Sequence, residues 1–366
     1  MVKHILKRKM TKINNPFFFY SENLPKTLNK IKATLVFSTY QAGKLIFISS
    51  LNGKTIIKYA KNFKRPMGIA IDKNKMKLAV ASRTSINVFA SNKVLALSYP
   101  EKKSRYDQLF IPQVKYHTGY LDTHEIEFGA ENELYFINTM FSCISTVSAD
   151  KHFELYWKPD FITDLLPEDR CHLNGMAMKD GKPAFVTMFD TTNTSFGWKK
   201  TSKETGLLME VETGKVLLDQ LAMPHSPVYF DDKIYFLLSG TGEIKCYDLN
   251  TKKVTLITKI DSFLRGLVVH DDFLIVGTSK LREETTTFKG LPFSVEDSYC
   301  GIYILNRTTG KPMGGISYTD NIREIFSLKL LFDVQVPGIL VENDESHDKS
   351  IMADPNLNFW IKQKKQ

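Results

Sequence analysis

The stretch His225-Ser226-Pro227-Val228-Tyr229-Phe230-Asp231-Asp232-Lys233-Ile234-Tyr235-Phe236-Leu237-Leu238-Ser239-Gly240-Thr241-Gly242 decides how the rest of the chain is read. A polar residue opens a short apolar run, Asp231-Asp232 turns the chain, and a second run of aromatic and aliphatic residues ends in a glycine-rich turn. That is the pattern of a hairpin. The same opening recurs at Arg65-Pro66-Met67-Gly68-Ile69-Ala70-Ile71, His124-Glu125-Ile126-Glu127-Phe128, His172-Leu173-Asn174-Gly175-Met176-Ala177, Arg265-Gly266-Leu267-Val268-Val269 and Arg323-Glu324-Ile325-Phe326. A spacing of roughly 40 to 60 residues is the blade period of a propeller with loop insertions.

The fold expected is all-β: a single β-propeller of six blades. Strand-like runs from Ala33 to Tyr59 precede the first opening, and too little chain follows Arg323 to build four strands. Both facts are reconciled if N-terminal strands complete the last blade, which also leaves no open sheet edge. A large β-sandwich or two smaller β domains is the rival architecture, against which stands the lack of a Pro/Gly/Ser-rich linker. The expected division is a basic N-terminal arm over 1–31, the propeller over 32–340 and a polar C-terminal tail over 341–366. Helical character is confined to a turn around Phe161 to Leu166, after Pro159. Phe189 to Trp198 and Arg282 to Phe293 are too polar and too long for simple hairpins, and read as loops over one face of the disc.

Composition narrows the function classes. The 366 residues carry 49 basic and 40 acidic side chains, a net charge of +9. The excess is concentrated only at the ends, in Lys3-His4-Ile5-Leu6-Lys7-Arg8-Lys9 and Lys362-Gln363-Lys364-Lys365-Gln366, so no nucleic-acid partner is expected. No stretch is long enough to span a membrane, and no apolar segment of a secretory signal follows the basic start. Cys143, Cys171, Cys246 and Cys300 lie far apart, which suits a reducing cytoplasm better than a disulfide framework or a zinc knuckle.

In a propeller the openings of the repeats begin the innermost strands, so equivalent residues converge on one axial channel. His124, His172 and His225 then form the centre of a site, with Glu125 as an acid or base and His117 among the ordered histidines. Arg65 and Arg265 are placed to engage an anionic group. Residues two apart on a strand share a face, so Asp122 is expected to orient His124, and Arg170, His172 and Asn174 to stand together. Cys171 points the other way and is a poor nucleophile. The three imidazoles can hold a divalent transition metal, an anionic ligand, or both, and the same residues can also serve only to wall a water-filled channel. Ser239-Gly240-Thr241-Gly242 precedes no helix and reads as a tight turn rather than a phosphate loop. Catalysis and simple binding of a small molecule both stay open. So does a non-enzymatic scaffold that binds a protein partner through the loops around Trp198 and Phe288.

The series Ser38-Thr39-Tyr40-Gln41-Ala42-Gly43-Lys44, Arg65-Pro66-Met67-Gly68, His117-Thr118-Gly119, Asp122-Thr123-His124-Glu125, Asn138-Thr139-Met140-Phe141-Ser142-Cys143, Pro167-Glu168-Asp169-Arg170-Cys171-His172-Leu173-Asn174-Gly175, Met223-Pro224-His225-Ser226-Pro227 and Ser279-Lys280-Leu281-Arg282-Glu283 resembles a family of hypothetical bacterial proteins classed as a domain of unknown function. The likeness runs from about Lys32 to Gly338 and implies a single domain with no assigned reaction. A more distant similarity, carried by His172-Leu173-Asn174-Gly175-Met176-Ala177, is to six-bladed lactonase, gluconolactonase and strictosidine-synthase-like propellers. The hydrolases among those use an axial calcium-type site of Glu, Asn and Asp. This chain departs from that pattern by offering imidazoles where hard oxygen ligands are wanted, which argues for a softer metal or none.

Overall fold

The hairpin at His225 is the seed of one complete blade. Pro224–Phe230 pairs antiparallel with Lys233–Leu238, and Glu243–Asp248 and Val254–Lys259 extend the sheet outward. Its glycine-rich turn is tight: Gly242 has φ +73°, and a Cβ there would lie 2.1 Å from the carbonyl oxygen of Ile260. The computed structural model describes residues 10–12, 18–72, 77–281, 289–319, 321–354 and 357–361.

Six such sheets make a six-bladed propeller. Blade 1 runs from Leu328–Phe332 inside through Ala33–Thr39 and Lys44–Leu51 to Thr55–Asn62 outside, so the two ends of the chain close the ring within one sheet, as expected. Blade 2 holds Ile69–Ile71, Lys77–Ser82, Ser85–Asn92 and Gln108–His117, in order from the axis. Blade 3 holds Thr123–Phe128, Leu134–Asn138, Cys143–Thr146 and Glu154–Trp157. Blade 4 holds Leu173–Lys179, Lys182–Met188, Gly206–Glu210 and Val216–Leu221; blade 5 is the seed already described. Blade 6 holds Phe263–His270, Phe273–Ser279, Cys300–Asn306 and Pro312–Tyr318, and two N-terminal strands, Phe18–Ser21 and Met10–Lys12, add to its outer edge.

Apolar side chains pack between neighbouring blades, because each strand alternates its residues toward one neighbour and then the other. Ala177, Phe185 and Leu208 of blade 4 meet Ile234, Phe236 and Leu238 of blade 5. Across the closure, Ile275, Ile302 and Ile304 of blade 6 meet Leu35, Phe37 and Leu328 of blade 1. Hydroxyls tie the inner ring together in a repeated way. Ser38, Thr139, Ser239 and Ser279, each at or just beyond the end of its blade's second strand, donate to Met67, Leu173, Leu264 and Ile325 at the start of the next blade.

Several expectations change. Residues 18–31, expected in a basic arm, are a strand and an eight-residue helix, Leu24–Ile31, whose Leu24, Leu28 and Ile31 are buried. The spacing of four and three residues puts those side chains on one face, against the core shared by blades 6 and 1. No helix forms around Phe161 to Leu166; Ile162 N–H donates to Pro159 in a single turn. A second short helix, Lys93–Leu97, follows blade 2's third strand, with Asn92 capping the Leu95 N–H. Residues of the expected polar tail also fold, as Ser350–Asp354 and Leu357–Trp360 form a hairpin; just before the tail, Pro337–Ile339 pairs in parallel with Gln108–Phe110. Of the expected loop from Arg282 to Phe293, residues 282–288 lie outside the described residues. Among the described residues, no helix is long and apolar enough to cross a membrane.

Candidate functional site

The inner strands of blades 3, 4, 5 and 6 each lose register with their neighbour near their start, between Thr123 and Ile126, Leu173 and Gly175, His225 and Val228, and Arg265 and Leu267. A bulge breaks strict alternation and re-aims the side chains beside it. That is how His124, His225 and Arg265 leave the inter-blade cores for one axial mouth, where His172 joins them.

His124 and His172 meet edge-on, with ring centroids 5.1 Å apart. His172 packs against both Phe189 at 4.5 Å and Trp198 at 4.2 Å, two rings that also meet each other at 5.4 Å. The other edge of Phe189 meets His225 at 5.1 Å. Arg265 lies over Phe326 at 3.8 Å, and Phe326 is 5.4 Å from His124. His124 and His225 are buried, at 4% and 3% exposure.

The hydrogen bonds fix the tautomers of two rings. His124 Nδ1 lies 2.8 Å from the backbone carbonyl of Asp122 and 2.8 Å from Thr139 Oγ1, and that hydroxyl donates onward to Leu173. A carbonyl only accepts, and the hydroxyl hydrogen is already committed, so Nδ1 carries the proton and Nε2 is left with its lone pair. Blade 5 repeats this: His225 Nδ1 donates to Met223 at 3.1 Å and to Ser239 Oγ at 2.8 Å, and Ser239 donates to Leu264. Burial, reinforced by Arg265 and His172, takes the His124 pKa down to about 3 despite the opposing pull of Asp122. Burial, with Arg265 next, also holds His225 well below its ordinary value. Both rings are therefore neutral acceptors at physiological pH.

His172 is held differently. Its Nδ1 is 3.1 Å from Asp169 Oδ2, and the Trp198 indole N–H donates to the same oxygen at 3.0 Å. A carboxylate bonded to an imidazole Nδ1 fixes the orientation of the ring. Among the described residues, Nε2 of none of the three rings has a hydrogen-bond partner.

The structure brings some of the expected site residues together and separates others. His124, His172, His225 and Arg265 come together. Asp122 positions His124 through its backbone carbonyl, while its carboxylate is 3.8 Å away. Arg65 stacks over Tyr40 at 5.0 Å, and Tyr40 packs on Phe326, so two rings stand between the guanidinium and His124. Glu125 accepts from Met176 N–H at 2.7 Å, further along the channel; burial raises its carboxyl to about 7 against the pull of Lys329. Arg170, His172 and Asn174 do not share a strand face, because the strand begins at Leu173 and His172 has φ 49°. The Arg170 guanidinium instead binds Glu168 at 2.8 Å and Asn193 at 2.6 Å, pinning the loop that carries Trp198. Asn174 Oδ1 accepts from Thr187 of its own blade. His117 ends the fourth strand of blade 2 and lines an outer groove with Arg83 and Lys115, far from the axial strands.

Among the described residues, no group of three or more His, Cys, Asp or Glu side chains is placed to hold a metal ion. The reason is visible in the packing: Phe189 fills the space between His172 and His225. Cys171 is buried and its thiol is pushed up to about 12 by that burial, which removes it as a nucleophile. Trp198, expected on a partner-binding loop, is buried at 6% exposure against His172. Sequence reading missed Asp169, Thr139, Ser239 and the aromatic wall of Phe189, Phe263 and Phe326. The hydroxyls had a signal, since each follows the apolar second strand of its blade at the same place.

No curated protein matches the chain in sequence. Among solved structures it is similar to a chain of a nidogen/laminin complex, with a TM-score of 0.55, 11% identity and coverage of 82% of this chain and 99% of that one. It is likewise similar to a protein of unknown function from Bacteroides caccae, with a TM-score of 0.52, 8% identity and the same coverage. At such identities the likeness is one of fold alone. The motif series quoted above falls within residues 22–340, the span matched by the family described as "Domain of unknown function (DUF4915)", and the chain belongs to that family.

Proposed function

We propose that the axial mouth binds a small organic anion that also carries a hydroxyl or amine hydrogen, with a hydroxy acid as the simplest such ligand. The observation that carries this reading is the pairing of two neutral imidazoles, each presenting a bare Nε2, with the Arg265 guanidinium that depresses the pKa of both. The carboxylate is suited to the guanidinium, and the O–H or N–H to the imidazole acceptors. Phe326, Phe189 and Phe263 supply apolar walls that strengthen both contacts by excluding water. Of the three rings only His172 has a carboxylate hydrogen-bonded to its Nδ1, which orients its Nε2 as the general base for proton removal from the bound anion.

The test is a panel of 2-hydroxy acids and sugar acids screened by thermal shift, with calorimetry on any that stabilise the protein. The proposal expects at least one ligand whose affinity falls roughly tenfold or more in Arg265→Gln and in His225→Phe. Absence of any stabilising acid, or binding that survives both substitutions, overturns it. With Glu125→Gln and His172→Gln substituted together, affinity should also stay flat between about pH 8 and 6, since neither His124 nor His225 gains a proton there. A steep gain through pH 6.5 would mean imidazolium binding, and the acceptor role would be wrong.

A further inference from the structure

The inner strands that begin near the axial histidines and Arg265 run to the opposite face of the disc, where they end at Phe128, Lys179, Phe230 and His270. Their far ends enclose a second cavity, of 410 Å³, to which every blade contributes an apolar side chain: Leu330, Ile71, Phe128, Met178, Val228 and Val268, from blade 1 to blade 6. Two charged residues on its wall pair with each other, Glu127 of blade 3 and Lys329 of blade 1. Blade 2 lies between those blades in the ring, so the ion pair reaches across the channel rather than along a shared blade interface. Met176 lines the same cavity, and Glu125 accepts its N–H at 2.7 Å, which places Glu125 at the inner end.

The charges inside do not balance. Glu125 and Glu127 flank the buried Ile126, and both act on Lys329. Burial works against the Lys329 ammonium, yet Glu127 and then Glu125 outweigh it and hold its pKa above the ordinary value, so one cation serves two carboxylates. The rim adds no unmatched cation: Lys179 lies over the Tyr229 ring next to Asp180, and His270 is 3.4 Å from Asp271. A cavity with an apolar ring and one carboxylate more than it has cations fits a ligand with a hydrocarbon body and a positive head.

We propose that this second mouth binds a small organic amine, its ammonium pairing with Glu127 while Lys329 keeps Glu125 as counter-charge, and its hydrocarbon part lying on the apolar ring. The site is separate from the mouth that holds His124 and Arg265, at the other end of the channel.

The experiment is calorimetry on the full chain with butylamine, benzylamine and cyclohexylamine against the matched acids butyrate, benzoate and cyclohexanecarboxylate, joined to carbon-13 spectra of methionine-methyl-labelled protein. At least one amine is expected to saturate the protein, to move the methyl signals of Met176 and Met178, and to bind weaker by roughly tenfold or more in Glu127→Gln. Met176→Leu and Met178→Leu assign the two signals. Glu127→Gln keeps the side-chain shape and an oxygen acceptor for Lys329, and an unchanged melting temperature verifies its fold; if it does not fold, the methyl shifts of the unsubstituted protein decide alone. The absence of any saturating amine overturns the proposal. So does amine binding that leaves both methyl signals in place, which would put the ligand elsewhere, or a site that takes an acid, rejects its matched amine and loses the acid in Lys329→Met, which would make it an anion site.

Discussion

His124 and Thr139, fifteen residues apart, repeat the relation of His225 and Ser239, fourteen apart. In both pairs a hydroxyl stands between an axial imidazole and a carbonyl of the next blade, so it orients the ring and joins the blades at once. The histidines were legible because they opened successive repeats. Their partners were not, because a hydroxyl residue after a strand is also ordinary turn punctuation. Ser239→Ala should leave the buried Leu264 carbonyl without its donor and cost about 1–3 kcal/mol in chemical denaturation. A change below roughly 0.5 kcal/mol, the scale of an ordinary surface substitution, would show that this hydroxyl holds nothing. Asp169 escaped a reading by strand alternation for a different reason. With φ 44° at Asp169 and 49° at His172, the backbone is not extended there, and residues three apart come to face each other.

At the scale of elements, hairpins were read well and capping segments were not. Strand and turn signals are local, whereas Leu24–Ile31 shows its helical face over only two turns and earns its stability from the core it covers. Glycine at 242 is a case where local signal and tertiary demand agree. Gly242→Ala places a Cβ in a left-handed backbone against Ile260 O, so a loss of more than about 1–2 kcal/mol is expected. Denaturant melts that match the unsubstituted protein would mean that the Ser239–Gly242 turn relaxes without resistance. The bulges were only partly legible: Pro227 inside His225 to Val228 is a bulge signal, whereas nothing in Thr123 to Ile126 departs from an ordinary strand composition. They are nevertheless what turns the histidines toward the axis.

At the scale of the whole molecule, closure was inferable from a count of strands, because a last opening without a blade and first strands without an opening complete each other. The channel that closure creates governs how stability depends on pH. Glu125 titrates near 4.5 unfolded and about 7 folded, so its contribution is intact at low pH and is eroded as pH rises through that window. Glu125→Gln keeps an acceptor for the Met176 N–H, and its stability relative to the parent should climb by up to about 1.4 kcal/mol per pH unit across that window. A difference independent of pH would mean that Glu125 is not desolvated. His124 acts in the opposite sense: its ring titrates near 6.5 unfolded and about 3 folded, so stability is full above 6.5 and is lost as pH falls toward 3. One measurement reads the axial arrangement most directly, the nitrogen-15 spectrum of histidine-labelled protein as pH is lowered from neutral. The account predicts that His124 and His225 keep Nδ1–H with unprotonated Nε2 and do not titrate through pH 6.5; Nε2–H tautomers, or protonation of either ring near that value, would contradict it.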